Sequence, residues 1–128
     1  MKYYFAKTLS GEFEDVIKKV THELENEGFG VLTEIDVTAT LKKKLNIDFK
    51  KYRILGACNA PFAHKALKAE DKVGTMLPCN VIVQELENGE IEVAAVNPMA
   101  SMQAVKNKEL ENIAIEIGHK LKNVIDIL

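Results

Sequence analysis

The stretch "CNVIVQELENGEIEVAAVNP", residues 79–98, decides the fold. Two β-prone runs, "CNVIVQEL" and "IEVAAV", flank Glu87-Asn88-Gly89-Glu90, and Asn-Gly between such runs is the strongest short-range hairpin signal, because both residues tolerate positive φ. With Asn88-Gly89 read as a two-residue loop, Glu87 opposes Glu90, Glu85 opposes Glu92, Asn80 opposes Asn97 and Cys79 opposes Pro98. The two strands are then adjacent and antiparallel, and their end far from the turn is polar.

Working outward, "YRILGAC" at 52–58 reads as a strand that finishes at Cys58-Asn59, with Gly56 marking a bulge or a close backbone approach. A helix follows, with Asn59 a good N-cap type, Pro61 tolerated in the first turn, and Phe62, Ala63, Ala66 and Leu67 on the buried side. Residues 70–78 are the least periodic in the chain. One helix between two strands commonly makes a parallel crossover, which would separate the two Cys-Asn pairs by a strand length. Extended over roughly 30 Å, however, residues 70–78 are long enough to carry the chain back after the helix has descended. The antiparallel arrangement is therefore the expected one. It gathers Cys58, Asn59, Cys79, Asn80 and Asn97 at one rim, with His64 one turn into the intervening helix.

The other elements are generic. "YYFAKTL" at 3–9 is a first strand, and Ser10 is placed to cap a helix whose Phe13, Val16, Ile17, Val20 and Leu24 recur at helical spacing. Glu12, Glu14 and Asp15 complement the positive end of its dipole, and Gly28 sits where it should stop. "FGVLTEI" at 29–35 is a second strand. Asp36 then precedes a short helix with Val37, Leu41 and Leu45 on one face and Lys42-Lys43-Lys44 on its solvated side, ending near Asn46. Leu110, Ile113, Ala114, Ile117, Leu121, Val124 and Leu128 form one stripe of a long C-terminal helix. The pattern predicts a single α+β domain over 1–128. Its mostly antiparallel, twisted sheet has about five strands, and a long N-terminal and a long C-terminal helix cover one face.

Composition bounds the function. The 128 residues are 47% hydrophobic and 28% charged, as in a globular domain able to bury a real core, and the net charge of −2 offers no general attraction to nucleic acid or anionic lipid. The opening "MKYYFAKTLS" lacks a signal-peptide apolar core, and no apolar run nears the roughly 18 residues of a membrane span, so a cytoplasmic location is expected. Two cysteines in that setting are reduced thiols rather than a framework bridge.

The chemistry on offer lies at the rim. Asn59, Asn80 and Asn97 present neutral donors and acceptors suited to orienting a small ligand, or else simply cap turns. Cys58, just ahead of a helix start and near His64, has the better setting for a thiolate; Cys79, after Pro78 at the head of the most apolar strand, is expected to be partly buried and less reactive. No metal site is read, because Cys58, Cys79 and His64 lack both a C-x-x-C spacing and a fourth ligand. His22 and His119 fall on polar helix faces, and Met99 and Met102 either line the rim pocket or fill core. No cofactor is named by any motif, and the usual phosphate-loop, nucleophile-elbow and zinc-protease signatures are absent.

"GFGVLTEIDVTATLKKKL", "YRILGACNAPFAHKAL", "MLPCNVIVQE" and the later "VNP" closely resemble domain-of-unknown-function family 302 across nearly the whole chain. The resemblance implies a compact α+β domain, found mainly in prokaryotes and sometimes seen as a dimer, whose biochemical role is not established. Its motif positions here are Asp36, Lys44, Cys58, Asn59, Pro61, Pro78, Cys79, Asn80 and Pro98. Asn97 departs from the pattern, where an acidic residue is more typical.

Three readings stand side by side: a ligand-binding domain with a polar Cys/Asn pocket formed by Cys58, Asn59, His64, Cys79, Asn80 and Asn97; a thiol-dependent enzyme or redox protein using Cys58 or Cys79; and a structural oligomer without a ligand. The expected partners are a second copy of the chain and a small molecule. The homodimer is argued from "NVIDIL" at 123–128, where Val124, Ile125, Ile127 and Leu128 cover more than one helical stripe.

Overall fold

The computed structural model describes all residues, Met1–Leu128. The elements in order are β1 (Tyr4–Leu9), α1 (Phe13–Asn26), β2 (Gly30–Asp36), α2 (Val37–Leu45), β3 (Tyr52–Cys58), α3 (Ala60–Ala69), a 3₁₀ segment (Asp71–Met76), β4 (Cys79–Glu85), β5 (Ile91–Val96), α4 (Pro98–Ser101) and α5 (Lys108–Ile127). The five strands form one sheet in the order β1-β5-β4-β3-β2. Every neighbouring pair is antiparallel. The fold is α+β, as the sequence pattern predicts, with α4 an additional short turn of helix.

Alternation along the strands separates two faces. Leu55, Ala57, Val81, Val83, Ile91, Val93 and Ala95 point inward and are at most 1% exposed. They share one cluster with Phe13, Val16, Ile17, Val20 and Leu24 of α1 and Ile117, Leu121 and Val124 of α5. Both long helices therefore cover the same face. Burying each of these Leu, Ile or Val side chains contributes about 1.5–3 kcal/mol. A second cluster of Ala66, Val73, Met102, Leu110 and Ala114 lies beneath α3 and the 3₁₀ segment.

Local chemistry explains where the elements stop. Gly28, at φ +87°, ends α1 in a Schellman arrangement: Gly28 N donates to Glu25 O and Phe29 N to Leu24 O, and only glycine adopts that φ without strain. The start of α1 differs from expectation. Its N-cap is Glu12, with no side-chain capping bond, and Ser10 lies outside the helix. Asp36 does cap α2, accepting from Ala39 N at 2.9 Å. That helix sits at the sheet edge, so Val37 and Leu41 are half-buried and Leu45 is exposed. At the same end, Arg53 of β3 bonds Glu14 of α1 at 2.8 Å and Glu34 of β2 at 2.7 Å, joining three elements.

The hairpin register is one residue away from the expected one. Val83 pairs with Val93 and Gln84 with Glu92. The loop is Glu87-Asn88-Gly89, closed by Leu86 N to Glu90 O and Gly89 N to Leu86 O. Gly89 has φ +85°, and Asn46 is the sole non-glycine residue with positive φ, so Asn88 does not adopt the type I′ conformation of a two-residue loop. A three-residue loop ending in a left-handed glycine needs positive φ at one position instead of two.

The C-terminal turns of α5 also differ. Val124, Ile125 and Leu128 are all buried within the chain, leaving Ile127 exposed. Lys7 of β1 donates to the carbonyls of Asp126 at 2.9 Å and Leu128 at 2.6 Å, satisfying the helix end. The surplus of apolar residues that argued for a dimer is therefore absorbed by the chain itself.

Gly56 is required by a close approach. A Cβ there would collide with Thr33 Oγ1 and come 2.8 Å from Pro78 Cγ, whereas one at Gly30 meets nothing within 4 Å. The bulge in this region lies on β2, between Val31 and Thr33. We expect Gly56→Ala to lower the unfolding free energy in urea by about 1–3 kcal/mol. Gly30→Ala should change it by less than roughly 0.5 kcal/mol; equal effects would contradict this packing.

Candidate functional site

β3 pairs with β4 so that Gly56 faces Asn80 and Ala57 faces Cys79. Cys58-Asn59 and Cys79-Asn80 thus reach the same end of the sheet, as the antiparallel reading requires. There the sheet end, α3 and α5 leave a cleft of about 320 Å³. Cys58, Asn59, Pro78, Cys79 and Pro98 line it, together with Phe62, Ala63, Ala66 and Leu67 of α3, Met102, and Ile113, Ala114 and Ile117 of α5. The apolar stripe of α3 is a wall of this cleft. Leu67, 43% exposed, sits on it without being closed into core.

The cleft is not the polar rim that was expected. Fourteen of its 18 lining residues are hydrophobic, and none of the 18 carries a charge. Cys58, Asn59 and Cys79 belong to it, while His64, Asn80 and Asn97 do not. His64 is exposed on α3. Asn80, between the inward-facing Cys79 and Val81, points to the opposite, helix-free face of the sheet, and the one-residue change of register sets it level with Val96 instead of Asn97. Asn97 is turned inward and is 4% exposed. Its Oδ1 accepts from Met99 N at 3.1 Å and its Nδ2 donates to Lys2 O at 3.1 Å, so it caps α4 and ties down the N-terminal segment. Of the two methionines, Met102 lines the cleft and Met99 does not. His22 and His119 are exposed.

Cys79 is buried, and Cys58 is partly accessible. Burial, with a smaller contribution from the neighbouring Cys58, pushes the Cys79 thiol from 9.0 up to about 11. It therefore stays protonated through neutral pH and acts as a small apolar wall group. Leu32, Thr33 and Phe29 of the β2 region complete the cleft mouth, a contribution that sequence reasoning missed because β2 is an edge strand with no unusual residues. No group of three or more His, Cys, Asp or Glu side chains is arranged to hold a metal.

A two-layer α+β sandwich whose antiparallel sheet ends in an uncharged cleft between two Cys-Asn segments defines the class of protein. The chain belongs to the family described as "Domain of unknown function DUF302", whose model matches residues 5–128. It is similar to a solved protein, the "uncharacterized conserved protein DUF302 from Bacillus stearothermophilus", at a TM-score of 0.90 and 29% identity over 98% of both chains. No curated protein matches the sequence. No helix is long and apolar enough to cross a membrane.

Alkylation of the native protein at pH 8, read by peptide mapping, should label Cys58 first. Cys79 should react at the unfolded rate only after denaturation, or as pH rises toward 11 and its proton is lost. Faster labelling at Cys79 than at Cys58 at pH 8 would overturn this ordering.

Proposed function

We infer that the protein is a small-molecule binding domain whose site is the cleft at the β3–β4 end of the sheet. The carrying observation is the apolar lining of this cleft of about 320 Å³, in which 14 of 18 residues are hydrophobic and none is charged. Ligand sites are concave, mostly apolar and fitted with a few polar groups, and volumes of this size lie at the lower end of their range. At about 30 Å³ per water-sized atom, the cleft accommodates about ten non-hydrogen atoms. Of the nine family-motif positions, Cys58, Asn59, Pro78, Cys79 and Pro98 line it, and Asp36, Lys44, Pro61 and Asn80 do not. For Cys79 the thiol-enzyme reading has little support, since a buried thiol with a pKa near 11 is a poor nucleophile; the partly accessible Cys58 is the thiol on which that reading would have to rest.

Naphthalene is a suitable probe, being neutral and of the right size. Ligand-detected NMR should show saturable binding in the micromolar to sub-millimolar range. Ala63→Phe, which fills the cleft from its half-buried wall, should weaken binding at least tenfold with an unchanged unfolding midpoint. No saturable uptake by the wild type would defeat the reading.

A homodimer remains a proposal on a different surface. The helix-free sheet face carries Tyr4, Tyr52, Ile54, Ile82, Ala94 and Val96 at half-burial and Ile35 at 48% exposure. Glu92, bonded by Gln84 at 2.8 Å, is the one charged strand residue on it, and Lys2 Nζ lies 5.7 Å from the centre of the Tyr4 ring. Five strands of six or seven residues present a face of about 24 by 20 Å, roughly 500 Å² in projection. That is comparable with the roughly 800 Å² per partner of a standard interface, and tyrosine-rich, lysine-poor surfaces are typical of interface cores. A second copy packing sheet to sheet covers it. Sedimentation at micromolar concentration should report a dimer that Ile82→Lys converts to a monomer; a monomeric wild type counts against the interface.

A further inference from the structure

Asparagine stands at the N-cap of three helices, and the three side chains are used differently. Asn97 Oδ1 accepts from Met99 N, and Asn107 Oδ1 accepts from Leu110 N, both at 3.1 Å, in the ordinary capping manner. Asn59 makes no capping bond to α3. Instead its Nδ2 donates to the Glu27 carbonyl at 3.4 Å. A carbonyl oxygen only accepts, so this bond fixes which end of the amide is nitrogen. The nitrogen side is also packed against the turn between α1 and β2, where a Cβ at Gly28 would come within 3.1 Å of Nδ2.

Oδ1, on the other side of the amide, is left over. It has no hydrogen-bond partner in the chain, yet the sole buried side-chain polar atom without one is Arg53 Nε. Asn59 Oδ1 is therefore reachable, on a residue that is only 8% exposed and lines the cleft. An acceptor held by a fixed amide in apolar surroundings is the kind of group that selects one ligand from an isostere lacking a donor.

We propose that Asn59 is the specificity-determining residue of the cleft, and that the cleft takes neutral, mainly apolar molecules carrying one hydroxyl or N–H donor, of phenol or indole type, which donates to Asn59 Oδ1. This rests on the reading of the cleft as a ligand site. Carboxylates and phosphates are excluded because no cation lines the volume and burying an unpaired charge is costly.

The experiment compares 2-naphthol, naphthalene, 2-methoxynaphthalene and 2-naphthoate at pH 7 by ligand-detected NMR. In the wild type, 2-naphthol should bind about three- to tenfold more tightly than naphthalene or the methyl ether, the worth of one net hydrogen bond. The carboxylate should not bind detectably. In Asn59→Leu, naphthalene binding should persist while the preference for 2-naphthol disappears. Naphthol and naphthalene binding within twofold of each other in the wild type overturns the proposal, as does a preference that survives Asn59→Leu. Should that variant fail to fold, the comparison of 2-naphthol with its methyl ether on the wild type decides alone. Absence of binding by all four probes defeats the cleft reading itself, and this proposal with it.

Discussion

The pairing of β3 with β4 is the constraint on which the site depends. It sets Gly56 opposite Asn80 and Ala57 opposite Cys79, and so brings two segments separated by a helix and a 3₁₀ turn to one end of the sheet. The pairing is tight because a glycine lies where Thr33 and Pro78 converge from either side. With a larger residue at that point, β2 and the start of β4 would be pushed off β3. The cleft walls would move with them.

The two layers leave the sheet unevenly used. One face is closed by α1 and α5 over a continuous aliphatic core, while the other carries isoleucines and tyrosines with no helix above them. At the sheet end the core layer opens because α3 presents Ala63 and Ala66, small residues, beside Phe62 and Leu67. Small side chains along one helix face leave volume that larger ones would fill. The cleft is thus continuous with the core and shares its apolar character. Its polar points are few: Thr33, which is exposed, and Asn59, which is buried.

Much of the architecture was readable from hydrophobic spacing. Phe13, Val16, Ile17, Val20 and Leu24 mark α1 without ambiguity, and β3 spans the expected residues 52–58. The antiparallel direction of β4 is as expected, but the extended return that argued for it is not there: residues 71–76 coil into a compact 3₁₀ segment. The hairpin register did not follow, because Glu87-Asn88-Gly89-Glu90 is compatible with a two-residue and a three-residue loop, and glycine serves both. That single step carried a functional error: it placed Asn80 and Asn97 side by side on one face, whereas Asn80 lies on the open face and Asn97 is turned into the core, so a rim of three asparagines was expected where one faces the cleft. Nor does any residue type reveal whether an N-cap asparagine spends its oxygen on the helix; the contrast between Asn59 and Asn97 is a matter of neighbouring carbonyls from distant parts of the chain.

The contacts of Lys7 bear on how the chain reaches its fold during synthesis. β1 is made before the other strands and helices of this domain, yet its only strand neighbour is β5, with Tyr4 level with Val96, and Lys7 bonds carbonyls 119 and 121 residues further on. As the chain emerges from its N-terminus, β1 has no edge to join until the hairpin exists, and no anchor for Lys7 until α5 is complete. Closing so long a loop is entropically slow compared with forming the hairpin or either helix. The tyrosine-bearing first strand therefore spends the interval as an unpaired, β-prone segment. Lys2, just before it, and Lys7, within it, are charges of the kind that discourage such a segment from joining another chain's edge.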